Sequence, residues 1–126
     1  MSPSNVSQLA RGSVVLIRFP FTDLTSDKRR PAILVTDTSA VSGADGHFVF
    51  MGSEVPPTGE PHILIAKGTA AATAMGLLYP AGKTNAYIRP RKIATLAVTL
   101  VTRRIGAVPP AIMGQIDALL TDTLGL

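Results

Sequence analysis

The sequence predicts a mainly β domain closed by one C-terminal helix, either an SH3-like small barrel or a compact α+β fold. Two observations carry this prediction. Short β-branched runs such as Gly12–Arg18, Pro31–Asp37 and His62–Ala66 are bounded by Pro, Gly, Ser and Asp clusters. After Pro109 and Pro110, Ile112, Ile116, Leu119, Leu120 and Leu124 recur at helical spacing, with prolines where a helix start tolerates missing amide donors.

Residues 1–10 hold Ser, Asn, Gln and Pro without an apolar period, so a loosely held arm is expected there, followed by a single domain over 11–126. Gly12–Arg18 reads as the first strand, and Phe19-Pro20-Phe21 ends it because proline cannot donate to a ladder. Thr22–Arg30 has the polar composition of a hairpin loop leading into an antiparallel strand at Pro31–Asp37. His47–Met51 follows a Ser/Gly/Asp loop and stops at Gly52-Ser53, while three prolines make Val55–Pro61 a loop before His62–Ala66. Thr69–Met75 is alanine-rich and suits one helical turn. Gly76–Pro80 and Asn85–Arg89 are extended by pattern, with Pro80 and Pro90 fixing corners. Ile93–Val101 alternates in part, Arg103–Val108 makes a last short strand, and the apolar stripe of the final helix is expected to lie on the barrel.

At 126 residues and 46% apolar composition the chain can bury a real core in one domain. No run approaches the roughly 20 apolar residues of a spanning helix, and Met1–Ala10 lacks a signal-peptide pattern, so a cytoplasmic protein without membrane contact is expected. The absence of cysteine excludes thiolate metal sites and Cys nucleophiles, and two histidines, His47 and His62, leave little for metal chemistry. No metal or cofactor is expected. The net charge is +4, yet between Glu60 and Asp117 stand seven basic residues and no acid. That asymmetry favours a polyanionic partner, the alternative being a basic solubilising face. A phosphate-binding Gly-Lys-Ser/Thr loop, a Gly-x-Ser-x-Gly elbow and a His-Glu-x-x-His motif are all missing.

One long segment carries a resemblance. Arg11-Gly-Ser-Val-Val-Leu-Ile-Arg-Phe-Pro-Phe-Thr-Asp-Leu-Thr-Ser-Asp-Lys-Arg-Arg-Pro-Ala-Ile-Leu-Val35 resembles the opening of PemK/MazF-like toxins of bacterial toxin–antitoxin modules. The similarity continues through Gly76–Pro80, Ile88-Arg89, Lys92–Leu96 and Arg103–Gly106, and so covers about residues 11–124. The resemblance implies a homodimer of SH3-like barrel subunits that cleaves single-stranded RNA without a metal and is silenced by an antitoxin protein. In that chemistry the ribose 2′-hydroxyl attacks the adjacent phosphate, leaving a cyclic phosphate and a free 5′-hydroxyl. It needs a proton acceptor, a proton donor and positive charge over the phosphorane. Arginine suits the last role because its planar fork reaches two phosphate oxygens.

Carried onto this sequence, the resemblance makes Arg30 the transition-state clamp, Ser53 the serine after the third strand, and Arg89 an acid or phosphate ligand. Lys28 and Arg29 beside Arg30, together with Arg91 and Lys92, are the expected RNA-backbone contacts, with solvated edge-strand charges as the other reading of the last two. Two positions depart from the family pattern: Gly52 stands where the family has a catalytic threonine, and Arg91 where many members have an acid. Losing such a hydroxyl costs on the order of 2–4 kcal/mol of transition-state stabilisation. Asp23, Glu54 and His47 are the candidate bases, and Tyr79 and Tyr87 are candidate stacking surfaces. The rival readings are a catalytically degenerate member that keeps only nucleic-acid or antitoxin binding, and a small DNA-binding regulator, for which no helix-turn-helix pattern is present.

Overall fold

The computed structural model describes residues 9–18, 29–37 and 45–126. Six strands form one sheet: β1 (Ser13–Arg18), β2 (Arg29–Leu34), β3 (Asp45–Gly52), β4 (Ile63–Ala66), β5 (Asn85–Ala97) and β6 (Val101–Ala107). Their spatial order is β4-β5-β3-β2-β1-β6, and every neighbouring pair is antiparallel. The sheet curls into a half-barrel, and a C-terminal helix packs on it.

Both faces of the sheet are covered, which is why β1 and β2 read as apolar runs rather than as alternating strands. The register Val14↔Ile33↔Val49↔Ile93 builds one face, and Val15↔Ala32↔Phe50 the other. The first row belongs to a core shared with Met75, Met113 and Ile116; the second to a core with Ile17, Leu34, Phe48, Leu96 and Val101. Leu9, within the stretch read as an arm, is buried in that second core.

The final helix α2 (Pro110–Leu124) starts with Pro109 as cap and ends at Gly125, whose φ of 72° gives the left-handed turn that stops a helix. Its buried residues are Met113 and Ile116, with Ile112, Leu119 and Leu120 partly covered. Leu124, expected on the same stripe, is instead 56% exposed, because it lies in the last turn beyond the sheet-facing residues. Arg11 ties this end to the start of the fold: Nε donates to the Val35 carbonyl at 3.0 Å, its amide donates to Asp37 Oδ1 at 2.9 Å, and its guanidinium pairs with Asp117 on α2.

Two expectations change. Pro90 does not mark a corner; β5 runs through it over Asn85–Ala97. Between the pairs Val49↔Ile93 and Met51↔Ile88, β3 supplies only Phe50 while β5 supplies Arg89, Pro90, Arg91 and Lys92. A bulge of this kind has unpaired positions, so a residue without an amide hydrogen fits there. Nor is Gly76–Pro80 a strand. Helix α1 (Ala70–Ala74) is capped by Thr69, whose hydroxyl accepts from the Ala72 amide at 3.2 Å. The chain leaves it through Gly76 at φ +67°, with Leu77 N donating to Ala72 O at 3.1 Å. It then crosses the sheet face from β6 to β4. A Cβ on Gly76 would sit 1.9 Å from the Ile105 carbonyl oxygen, and Tyr79 OH donates to the Ile65 carbonyl at 2.8 Å.

Candidate active site

The crossing segment and the sheet beneath it enclose a cavity of about 480 Å³. Leu16 of β1 pairs with Pro31 of β2 on one side and with Arg103 of β6 on the other, so these three residues share a row and a face. All three line the cavity. Arg29 and Arg30, at the exposed start of β2, border it, as do Gly52 and Ser53 where β3 ends. Leu77 and Tyr79 come from the crossing segment, and Asn85 from the start of β5.

Three arginines thus border one apolar cavity, Arg29 and Arg103 on the Leu16–Pro31 face of the sheet and Arg30, paired with Ile17, on the other face, and no carboxylate or imidazole lines it among the described residues. A guanidinium carries its charge throughout the physiological pH range, so such a site is built to hold an anion, and a planar fork suits phosphate. Tyr79, the aromatic wall, has its phenol pKa pushed up by burial and remains a protonated donor to Ile65 O. Gly52 leaves room: a Cβ there meets nothing within 4 Å.

The cavity therefore brings together Arg30, Ser53 and Arg29 from the residues selected by sequence. It does not include Arg89, Arg91 or Lys92, and Lys28 lies outside the described residues. Arg89 sits in the bulge of β5, where Nε and Nη2 donate to the Glu60 carboxylate at 2.6 and 2.7 Å. Both side chains are largely covered, at 20% and 12% exposure. The hydrogen bonds from Arg89 hold the Glu60 carboxyl below the usual range against the opposing effect of burial, with the charges of Arg89, Arg91 and Lys92 adding to the drop. Arg91 and Lys92 are exposed in the same bulge, on a strand that lies inside the sheet order rather than at its edge.

Of the candidate bases, Asp23 lies outside the described residues. Glu54 is paired with Lys83 at 3.0 Å. His47 stands on β3 with its Nδ1 3.4 Å from Thr36 Oγ1. His62 bonds the Glu60 carbonyl at 2.9 Å and packs edge-on against Tyr87, 5.5 Å between centroids. Neither Glu54 nor His47 lines the cavity, and His62, not among the candidate bases, does not line it either. The residue that sequence reasoning left out of the site is Arg103. It stood in the basic run after Glu60 and in the Arg103–Gly106 block, but its row-mate Leu16 is 87 positions away in the chain, and only pairing reveals the neighbourhood.

Among the described residues, no cluster of three His, Cys, Asp or Glu is arranged to hold a metal ion, and no helix is long and apolar enough to cross a membrane.

No family model matches the sequence, and no curated protein does. Solved structures do match. The chain is similar to an endoribonuclease from a mycobacterial species in complex with its cognate antitoxin, with a TM-score of 0.65 at 21% identity over 94% of this chain and 96% of that one. It is similar to the Mycobacterium tuberculosis toxin MazF-mt6, with a TM-score of 0.65 at 12% identity over 90% of this chain and 97% of that one. MazF from Deinococcus radiodurans matches with a TM-score of 0.60 at 18% identity, covering 94% and 98%. The protein has the fold of the MazF toxins.

Proposed function

We propose that this MazF-type fold carries an endoribonuclease toxin that cleaves single-stranded RNA without a metal, works as a homodimer and is controlled by an antitoxin protein. The observation that carries the reading is a cavity bordered by Arg29, Arg30 and Arg103 that no carboxylate lines among the described residues. Further support comes from the neighbouring folds, which are endoribonucleases, one of them solved with its antitoxin.

The reaction forms a bond from the 2′-oxygen to phosphorus and breaks the bond from phosphorus to the 5′-oxygen. The 2′-hydroxyl loses its proton, and the departing 5′-oxygen gains one. Between these events the phosphorane oxygens hold extra negative charge, and Arg30, which borders the cavity, is the residue proposed to receive it. Ser53, at the end of β3 on the same wall, offers a hydroxyl donor. Arg89 acts at one remove: with its fork filled by Glu60, it holds the loop after β3 against the bulge.

A second reading, a binding module that has lost catalysis, is favoured by the missing hydroxyl at Gly52 and by the lack of a base on the described lining. Incubating the purified protein with mixed-sequence RNA in EDTA, with Arg30→Ala alongside, separates the two. The endoribonuclease reading expects cleavage to cyclic-phosphate ends, reduced on the order of 100-fold or more by the substitution. Intact RNA with retained RNA binding points to the module, and equal cleavage by both proteins removes Arg30 from the mechanism.

A further inference from the structure

Arg30 belongs to the face of the sheet turned away from Leu16 and Pro31, the face it shares with Ile17, Ala32 and Phe50. The β2–β3 register pairs Ala32 with Phe50, and two residues further along it Arg30 stands opposite Gly52. Gly52 pairs with Tyr87 of β5, and Tyr87 with Leu64 of β4. One row on this face therefore runs from Arg30 over Gly52 to Tyr87, with a glycine between the cation and the phenol.

We propose that Tyr87 is a second contact for the reacting phosphate, which the Arg30 guanidinium and the Tyr87 hydroxyl grip from opposite sides above Gly52. The phenol keeps its proton and donates a hydrogen bond to a phosphorane oxygen as charge grows there. This rests on the endoribonuclease reading and adds to it a catalytic residue that does not line the cavity.

Three observations support it. The place between the two residues is open: a Cβ on Gly52 meets nothing within 4 Å. Neighbouring strands lie about 4.8 Å apart, so the backbones of Arg30 and Tyr87 stand about 10 Å apart with no side chain in between, room for a phosphate reached from both sides. Second, both donors are uncommitted. Arg30 is exposed and has no partner among the described residues. The Tyr87 residue is only 8% exposed, yet its hydroxyl makes no hydrogen bond among the described residues, whereas that of Tyr79 is spent on the Ile65 carbonyl. No buried side-chain oxygen or nitrogen is left unpaired among the described residues, so the Tyr87 hydroxyl reaches the surface while its ring is covered. Third, the ring is held before any ligand arrives. His62 packs edge-on against it at 5.5 Å, His62 Nδ1 lies 2.9 Å from the Glu60 carbonyl oxygen, and the Glu60 carboxylate is gripped by Arg89. A donor fixed in advance loses little freedom when the charge it serves appears.

The test compares wild type, Arg30→Ala, Tyr87→Phe and the double variant in two assays: single-turnover cleavage of RNA in EDTA, and anisotropy binding of a 2′-fluoro RNA, which lacks the attacking hydroxyl. Tyr87→Phe is expected to slow cleavage at saturating RNA on the order of 100-fold. It is expected to weaken binding only about threefold, because the hydrogen bond strengthens as the phosphorane forms. The melting temperature is expected to stay unchanged, since the hydroxyl bonds nothing in the free protein. In the Arg30→Ala background the same substitution is expected to weaken binding by less than about 1.5-fold, because two groups that share one phosphate are not additive. Equal binding by wild type and Tyr87→Phe, or a loss just as large without Arg30, overturns the proposal. Cleavage slowed by Arg30→Ala and untouched by Tyr87→Phe overturns it while leaving the endoribonuclease reading in place. A coupled binding loss with no cleavage by wild type sinks the endoribonuclease reading alone, and a wild type that neither binds nor cleaves RNA overturns both.

Discussion

Glu60 accepts two hydrogen bonds from Arg89, 2.6 Å from Nε and 2.7 Å from Nη2, and so clamps the proline-rich loop after β3 to the bulge of β5. A bidentate pair with both partners mostly covered is worth more than an exposed ion pair. Glu60→Gln is therefore expected to cost about 1 kcal/mol near neutral pH, measured by urea denaturation. The folded-state pKa of Glu60 is lowered from the ordinary 4.5, so its contribution is fully present above that value. It is lost as pH falls through the lower folded-state value. The stability gap between wild type and Glu60→Gln is expected to stay constant from neutral pH down to about pH 5 and to close below the folded-state value. A gap that widens in acid contradicts the assignment.

Gly52 is the departure from the toxin pattern that can be reversed. A Cβ at this position meets nothing within 4 Å, and its φ is not in the left-handed region, so Gly52→Thr is expected to fold with an unchanged or slightly raised melting temperature. Gly52 borders the cavity that Ser53 and Arg30 also border. An increase in RNA cleavage of about 10- to 100-fold is expected, part of what a transition-state donor contributes. No change in rate with the fold preserved shows that the position does not touch the reacting phosphate.

The roof of the cavity depends on two glycines, Gly76 lying against the backbone of Ile105 and Gly106 against that of Ala74 and Met75. A Cβ on Gly76 lies 1.9 Å from Ile105 O, and one on Gly106 lies 2.4 Å from the Met75 carbonyl carbon. Neither neighbour is a flexible side-chain end, so the clash cannot relax cheaply. Gly76→Ala and Gly106→Ala are each expected to destabilise by about 3 kcal/mol or more, which thermal melts register as a large drop or as loss of folded protein.

Ile116 and Leu124 share the apolar period of α2 but not its environment: the first is fully buried in the core, the second 56% exposed. Ile116→Ala is expected to cost about 2–5 kcal/mol, whereas Leu124→Ser is expected to stay within about 0.5 kcal/mol. Chemical denaturation of the two variants checks the pair, and equal losses contradict the packing of α2 described above.

Much of the fold was legible because it rests on local signals. β1, β4, the turn capped by Thr69 and the proline-started final helix follow from runs, breakers and caps within a few residues of one another. Pro90 misled for a physical reason: a proline ends a strand where the ladder needs its amide, and the bulge opposite Phe50 has no such need. Met113 was missed and Leu124 overextended because periodicity gives the face of a helix but not how far the sheet beneath it reaches.

By itself the sequence determined that short strands and one C-terminal helix would form, that no cysteine chemistry was available, and that the stretch from Arg11 to Val35 resembled a toxin family. Only the tertiary structure decided which cations meet. Alternation and pairing put Arg103 in one row with Leu16 and Pro31, while a bulge turns Arg89 to Glu60. The destination of a long charged side chain depends on strand register and on the partner that reaches it, and here those are set by residues as far apart as Leu16 and Arg103.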